Sequence, residues 1–186
     1  PFGGSFPRRI SLMLVAFVSA TGYAIRHFAR PLVNAVVERD EVIVLANLSG
    51  EAAYGETGLD ERFELIDCSI QREPNPLSDL KAVAALFSTF RSRRPETVYS
   101  ISPKGGLVGL AAARLAGVPR RVHYFTGQVW ATKSGPSRSV LRLVDRITAS
   151  MASEVLADSE TQAEFLIDQR VVRRDRISVI GAGSVS

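Results

Sequence analysis

Residues 97–125, which read TVYSI-SPKGG-LVGLAAARLAGVP-RRVHYF, contain the pattern that decides the fold. The apolar run Thr97–Ile101 has the length of a strand, and it is followed by two glycines and by apolar residues at helical spacing. Residues 117–119 (GVP) end that helix, because glycine favours helix C-caps and proline cannot continue a helix. A second strand follows at Val122–Phe125. This order of strand, helix and strand predicts a parallel βαβ unit.

The same alternation runs along the rest of the chain. Seven apolar runs predict strands: Ile10–Val15, Val42–Ala46, Phe63–Cys68, Thr97–Ile101, Val122–Phe125, Val155–Ala157 and Ile177–Ile180. Stretches of helical period separate them. We therefore predict an α/β fold of the Rossmann-like, doubly wound type, with a mainly parallel sheet and helices on both faces. No internal repeat or linker interrupts the chain, so residues 1–186 are expected to form a single domain.

Two of the intervening helices carry apolar stripes that we interpret as their core-facing sides. The first stripe consists of Leu80, Val83, Ala84, Phe87 and Phe90. The second consists of Val140, Leu143, Val144, Ile147 and Met151.

Composition limits the possible classes of protein. The 186 residues are 46% hydrophobic, which is enough for a well-buried core, and the formal net charge of +4 is compatible with anionic partners such as phosphates or lipid headgroups. The single cysteine, Cys68, excludes an intrachain disulfide and suits a reducing compartment. The sequence contains no H-E-x-x-H, C-x-x-C or acidic cluster, so no metal site is predicted.

The first residues allow a second interpretation. Arg8 and Arg9 precede the apolar run 10–18, as in a secretory signal peptide. The run is too short to span a bilayer. We favour a buried first strand, because the lone cysteine argues against export.

Ligands of open parallel sheets bind beyond the carboxyl ends of the strands, so the loops there are the candidate sites. The first such loop contains Thr21, Gly22 and Tyr23, without the G-x-G-x-x-G spacing of a dinucleotide fold. A later loop, which opens a helix, contains Lys104, Gly105 and Gly106. Free N–H groups, two glycines and a lysine can bind an anion there, although a plain glycine-rich turn with a solvated lysine explains them too.

The loop after Val122–Phe125 is the richest in polar and aromatic groups. It contains five candidate substrate-binding residues: Thr126, Gly127, Gln128, Trp130 and Lys133. The indole ring is a good stacking platform for a sugar face, but it could equally fill the top of the core. We favour a substrate loop.

Three arginines, Arg138, Arg142 and Arg146, recur at every fourth position of the next helix. They are either a solvated face or a contact for anionic lipid headgroups or a diphosphate. The two histidines stay open: His27 follows the first loop and could face the cleft, whereas His123 lies inside a strand.

Several of these segments resemble the N-terminal domain of family 4 glycosyltransferases, chiefly of the capsule, O-antigen or exopolysaccharide type. They are residues 99–119, 124–133, 157–160 and 177–186. The resemblance implies one half of a GT-B fold. This half binds the acceptor, and a C-terminal domain, absent from this chain, binds the nucleotide sugar, so the chain alone is expected to be inactive.

The resemblance also implies the reaction. A UDP- or GDP-sugar donates its sugar, with retention and without a metal or other cofactor, to a lipid-linked saccharide at the inner face of the cytoplasmic membrane. Nucleic acid is not an expected partner. The resemblance implies that the cleft is lined by Thr126, Gly127 and Gln128. It also implies a position near the donor phosphates for Thr21, Gly22 and Tyr23. Many relatives carry a histidine in a T-x-H-G-like segment after this strand. Here Thr126 is followed by Gly127 at that place and His123 lies three residues earlier, so no catalytic residue is carried over.

Three alternatives remain. An epimerase of nucleotide sugars shares the GT-B architecture, and a non-catalytic subunit could supply only the acceptor half. A dinucleotide oxidoreductase is disfavoured, because its glycine fingerprint is missing.

Overall fold

A seven-stranded, all-parallel sheet organises the chain. The computed structural model describes residues 12–48, 62–71, 73 and 75–180. The strands are β1 Leu14–Ser19, β2 Glu41–Ala46, β3 Glu64–Asp67, β4 Thr97–Ile101, β5 Arg120–Phe125, β6 Glu154–Ala157 and β7 Ile177–Val179. Their order in the sheet is β3-β2-β1-β4-β5-β6-β7.

Helices cover both faces of this sheet. They are α1 Gly22–Ala24, α2 Arg30–Val37, α3 Pro76–Arg93, α4 Pro103–Ala116, α5 Gly135–Met151 and α6 Glu160–Asp168. A π-helical turn, Ile25–Ala29, joins α1 to α2, and a 3-10 turn, Arg174–Arg176, precedes β7. The chain moves outward from β1 to β3, then returns and moves from β4 to β7. Right-handed crossovers therefore place α2 on one face and the later helices on the other. The predicted doubly wound α/β fold is confirmed.

The predicted strands are found within one or two residues of their expected ends, except for the first. Ile10 lies outside the described residues, and β1 begins at Leu14 and ends at Ser19. Pairing fixes this position: Leu14 lies opposite Glu41 of β2, and Ser19 lies opposite Ala46. Ahead of the strand, the side chain of Leu12 is 59% exposed. The apolar run therefore contains a core strand, but the strand occupies Leu14–Ser19, later in the sequence than predicted.

The buried side of α3 differs from the predicted stripe. Ala82, Leu86 and Phe90 face the core, whereas Leu80 is 67% exposed and Phe87 is 37% exposed. The predicted stripe was right in part, since Phe90 is buried and Val83 packs against the core. The buried side is rotated away from Leu80 and Phe87, because contacts with α4 and the sheet decide which side of the helix is covered.

Most of the stripe predicted to bury α5 faces solvent instead, although Val144 and Met151 are half-buried and Met151 packs against the core. Val140, Leu143 and Ile147 are exposed by 59%, 53% and 44% respectively. The buried positions of this helix are the polar Asp145 and Thr148 together with Ala149. A hydrogen bond explains this rotation, since the indole Nε1 of Trp130 donates to Asp145 Oδ2 at 2.6 Å.

Trp130 is the anchor of the core between α5 and α6. Its side chain is 1% exposed and stacks on Phe165 at a centroid distance of 5.2 Å. The guanidinium of Arg138, a residue of α5, lies 5.7 Å from the centroid of the indole ring. Burial raises the pKa of Asp145 to about 6, and the hydrogen bond from Trp130 opposes that rise.

Two glycines let the first turn of α4 approach the sheet. A Cβ at Gly105 would lie 2.8 Å from the Cα of Ser19, and a Cβ at Gly106 would lie 2.4 Å from His123 Cε1. His123 is 1% exposed and its Nδ1 lies 2.8 Å from the hydroxyl of Ser100. Burial lowers the pKa of His123 to about 3, so the imidazole is neutral in the folded protein.

We expect Gly106→Ala to destabilise the protein by about 1–3 kcal/mol, because the new methyl group must displace a buried, hydrogen-bonded imidazole. Urea unfolding monitored by circular dichroism measures the change. The matched control is Leu115→Ala on the same helix, where the side chain is 68% exposed. An unchanged unfolding midpoint for Gly106→Ala would contradict the packing described.

We expect Asp145→Asn to remove a pH dependence of stability. The pKa of an aspartate is about 4 in the unfolded chain, whereas that of Asp145 is about 6 in the folded protein. Between these two pH values the Asp145 carboxyl is protonated in the folded state and ionised in the unfolded state. Raising the pH through this window therefore costs the wild type about 3 kcal/mol, and the loss is complete above it. The asparagine keeps an acceptor for Trp130 and has no charge to bury.

Urea unfolding of both proteins from pH 4 to pH 8 tests this expectation. The stability of the variant relative to the wild type should rise with pH and then level off. Taking the difference cancels His123, whose lowered pKa makes stability rise with pH in both proteins. A difference independent of pH would show that Asp145 titrates normally.

Candidate functional site

The carboxyl edge of the sheet brings four loops side by side. Strand pairing places Ser19 opposite Ile101, then Ile101 opposite Tyr124, and Phe125 opposite Ala157. Adjacent strands lie about 4.8 Å apart, so the loops after β1, β4, β5 and β6 form one row. This edge is the expected ligand site of an open parallel sheet.

The loop after β1 is short and enters a helix at once. The hydroxyl of Thr21 caps it by accepting from the N–H of Ala24 at 3.3 Å, and Gly22 is buried. Tyr23 is 57% exposed, and its ring lies 4.1 Å from the exposed ring of His27, centroid to centroid. A π-helical turn follows at Ile25–Ala29 and widens the helix. Such π-helical turns are frequent at functional sites.

The loop after β4 is tied to the loop after β1. Ser102 has φ 70° and ψ 151°, a conformation that is costly for any residue except glycine. Its hydroxyl accepts from the N–H groups of Gly105 at 3.3 Å and Ala20 at 3.4 Å. Gly105 and Gly106 thus serve close packing in this structure, with their Cα atoms against β1 and His123.

Lys104 is already engaged at this loop. Its Nζ donates to Asp79 Oδ1 at 2.8 Å and to the carbonyl of Glu73 at 2.7 Å, and its side chain is 14% exposed. The ammonium therefore links α4 to α3. An anion at this place would share the charge with Asp79.

The loop after β5 divides into a buried and an accessible part. Thr126 and Gln128 are half-buried, and Gly127 is exposed with φ 149°. The side-chain nitrogen of Gln128 is buried and has no hydrogen-bond partner among the described residues. Lys133 is exposed.

Trp130, which we expected to stack on a sugar, fills the core instead. Phe165 and Arg138 contact its ring, and 1% of the side chain is exposed. In this arrangement the ring offers no free face to a sugar, so Trp130 positions the loop.

Sequence reasoning missed a buried pair at this edge. The hydroxyl of Tyr124 donates to the carboxylate of Asp158, and both residues are about 5% exposed. Burial and the neighbouring carboxylate hold the pKa of Tyr124 well above its usual range. Asp158 directly follows β6 and precedes the helix cap Ser159. This position after a strand is the sequence signal that would have identified Asp158 as a residue of the carboxyl edge.

The two histidines lie in different surroundings. His27 is exposed beside Tyr23, whereas His123 is enclosed, neutral and bonded to Ser100. His123 is therefore a core residue without access to a substrate. Among the described residues, no group of three His, Cys, Asp or Glu side chains is arranged to hold a metal ion.

The three arginines of α5 have separate environments. Arg138 is half-buried against Trp130 and donates to Gln169 Oε1 at 3.1 Å. Arg142 is half-buried, and Arg146 is exposed. Within the described part of the chain, no helix is long and apolar enough to cross a membrane.

Two curated relatives are bacterial glycosyltransferases. One is the capsular polysaccharide biosynthesis glycosyltransferase CapM of Staphylococcus aureus, 30% identical over 115 residues. The other is the UDP-Gal:alpha-D-GlcNAc-diphosphoundecaprenol alpha-1,3-galactosyltransferase of Escherichia coli, 29% identical over 108 residues. The alignments cover 62% and 58% of this chain but only 30% and 28% of the relatives.

Solved structures share the fold at low sequence identity. The UDP-GlcNAc 2-epimerase of Methanocaldococcus jannaschii superposes with a TM-score of 0.67 at 15% identity. The match covers 91% of this chain and 46% of the epimerase, so this chain spans about half the length of that enzyme.

The sequence profile of one family covers nearly the whole chain. The glycosyl transferase 4-like domain matches residues 20–183, from the loop after β1 to beyond β7. The match includes all the loops of the carboxyl edge. The chain belongs to the glycosyl transferase 4-like family.

Proposed function

We propose that this chain is the acceptor-binding domain of a retaining glycosyltransferase. In this proposal, the enzyme transfers a sugar from a UDP- or GDP-sugar to a lipid-linked saccharide during the synthesis of a bacterial surface polysaccharide. The observation that carries the proposal is the family match over residues 20–183, joined by a relative named for transfer to a diphosphoundecaprenol-linked sugar. A second domain, outside this chain, would hold most of the donor.

The carboxyl edge has the groups that such an acceptor needs. Tyr23 presents an exposed ring for the apolar face of a sugar, and Gln128 has an amide donor without a partner among the described residues. Thr21, Gly22, Thr126 and Gly127 lie in the same row of loops and offer backbone and hydroxyl groups. Positioning of the acceptor hydroxyl is the main contribution that this half can make to the reaction.

The basic groups fit the anionic parts of the two substrates. Lys104 lies at the start of α4 with Gly105 and Gly106. The N–H groups of both glycines bond to Ser102, so the attraction for phosphate oxygens there would come from the ammonium and the helix dipole. Lys133 and Arg142 follow along the loop after β5 and α5, where they could contact the diphosphate of the acceptor or the inner membrane surface. The proposed location is the cytoplasmic side of that membrane, peripherally bound.

Two other functions remain as outcomes of the test. A nucleotide-sugar epimerase shares the fold, as the archaeal structure does. A non-catalytic subunit would bind the acceptor alone.

An activity assay on the full-length protein separates these functions. The protein is incubated with UDP-galactose, UDP-GlcNAc or GDP-mannose and with undecaprenyl-diphosphate-linked GlcNAc in detergent, and the products are identified by mass spectrometry. A lengthened lipid-linked saccharide is expected. A new UDP-sugar formed without acceptor would identify an epimerase, and acceptor binding without turnover of any donor would identify a binding subunit.

We expect Tyr23→Ala in the full-length enzyme to raise KM for the lipid-linked acceptor about tenfold, because one aromatic face of roughly 1–1.5 kcal/mol is lost. The change in kcat should be smaller, because a stacking contact that is equal in the ground state and the transition state contributes to binding and not to the chemical step. Tyr23→Phe keeps the face and should behave like the wild type. Phe87→Ala removes an exposed ring from α3 and is the matched control. An acceptor KM unchanged in Tyr23→Ala would remove Tyr23 from the site.

We expect Gln128→Met to separate stability from activity. The buried amide nitrogen lacks a partner among the described residues, so its removal should leave the free energy of unfolding unchanged or raise it by up to about 1 kcal/mol. If a substrate normally accepts this hydrogen bond, kcat/KM should fall about tenfold.

The control for this variant is Gln162→Met. The Oε1 of Gln162 accepts from the N–H of Asp158 at 2.7 Å, so its loss should reduce stability. Urea unfolding and steady-state kinetics give both readouts. Destabilisation by Gln128→Met with unchanged kcat/KM would show that Gln128 is structural.

A further inference from the structure

A cavity lined by four arginines lies at the edge of the sheet opposite the candidate site. Its volume is about 380 Å³, and its basic side chains are Arg146, Arg170, Arg173 and Arg176. Helices α5 and α6 run antiparallel to the strands, so their last turns, which line the cavity, lie at the amino edge of the sheet. Among the described residues that line the cavity, none carries a carboxylate.

The arginines are held by the fold at this cavity. Arg176 donates to the carbonyl of Ala152 at the end of α5, which fixes its guanidinium beside the cavity. Arg173 bonds to Asp175 Oδ2 at 2.6 Å, so one of the four charges is partly compensated. Arg170 has φ 56°, a left-handed conformation that glycine or asparagine adopts at lower cost.

An aliphatic stripe leads to the cavity along α5. Val140, Leu143 and Ile147 are all about half exposed and lie on one side of the helix. Ile147 directly follows Arg146, so aliphatic groups and guanidinium groups meet at the last turns of α5. Exposed aliphatic residues beside basic ones are the signature of a surface that lies on an anionic bilayer. A nucleic acid would be recognised by basic and aromatic groups, and this stripe has no aromatic residue.

We propose that the arginine cavity and the aliphatic stripe of α5 form a docking surface for anionic phospholipids, with a lipid phosphate bound among Arg146, Arg170 and Arg173. The stripe enters the interfacial region of the bilayer, and the arginines neutralise the headgroups. The inference rests on the proposed function only in that a lipid-linked acceptor brings the enzyme to a membrane. The surface itself lies apart from the sugar-binding edge.

Vesicle sedimentation of the full-length protein tests the surface. Vesicles of phosphatidylcholine alone are compared with vesicles of phosphatidylcholine and phosphatidylglycerol, at low and high salt. We expect binding to the anionic vesicles that weakens with salt. The double variant Arg146→Gln/Arg170→Asn should bind them about thirtyfold more weakly, since each arginine near an anionic surface contributes about 1 kcal/mol.

The matched control removes two exposed basic residues toward the opposite edge, Arg30→Gln/Lys81→Gln, which lie in the first half of α2 and of α3. It makes the same change in net charge and should bind like the wild type. For the stripe, Ile147→Ser should weaken binding about threefold or more, while Leu80→Ser, an exposed leucine on α3, should not.

Three results would overturn the proposal. The first is that the control variant and the cavity variant weaken vesicle binding equally. The second is that binding does not depend on the phosphatidylglycerol content of the vesicles. The third is that inorganic phosphate, added at matched ionic strength, releases the wild-type protein from the vesicles. The last result would assign the cavity to free phosphate. The vesicles contain neither donor nor acceptor, so a negative result contradicts the docking surface and leaves the transferase proposal to its own assay.

Discussion

The close approach of α4 to the sheet is the constraint on which the candidate site depends. With Gly105 against Ser19 and Gly106 against His123, the first turn of α4 lies nearer to the strands than a side chain would allow. This proximity lets the hydroxyl of Ser102 accept hydrogen bonds from its own helix and from Ala20 in the neighbouring loop. The loops after β1 and β4 are thereby fixed as one unit. Site geometry at this edge is thus a consequence of backbone packing.

A second buried contact sets the orientation of α5. Because Trp130 donates to Asp145, a polar position of the helix turns toward the core and the aliphatic positions turn toward solvent. The same contact places Arg138 over the indole ring. One hydrogen bond therefore connects the loop after β5, the packing of α5 and the character of the surface on its outer side. Asp145 remains in an energetically costly environment, which is why its pKa is raised.

The two edges of the sheet carry different chemistry. The carboxyl edge combines an exposed tyrosine, an amide donor and the lysine at the start of α4, as expected for a domain that positions a sugar acceptor. The amino edge carries the arginine cavity, and α5 extends from one edge to the other with its aliphatic stripe outward. In the proposed enzyme, α5 would lie along the membrane while the row of loops at its start receives the lipid-linked sugar.

The sequence by itself determined the strands from β2 onward, their parallel direction and the position of the loops, because apolar runs, helical spacing and glycine or proline stops are local properties. It also indicated the family, through the segments around β4 and β5. Only the tertiary structure decided which side of α3 and α5 is buried. Periodicity defines a stripe, but long-range partners decide whether that stripe meets the core.

For the same reason, the sequence left the roles of single residues open. Trp130 could be a sugar platform or a core residue until Asp145, fifteen positions later, was seen to accept its hydrogen bond. His123 became a core residue through contact with Gly106, which comes from the preceding helix. The arginine cavity joins the end of α5 to the segment before β7. Such contacts depend on distances across the fold, which the order of residues along the chain does not contain.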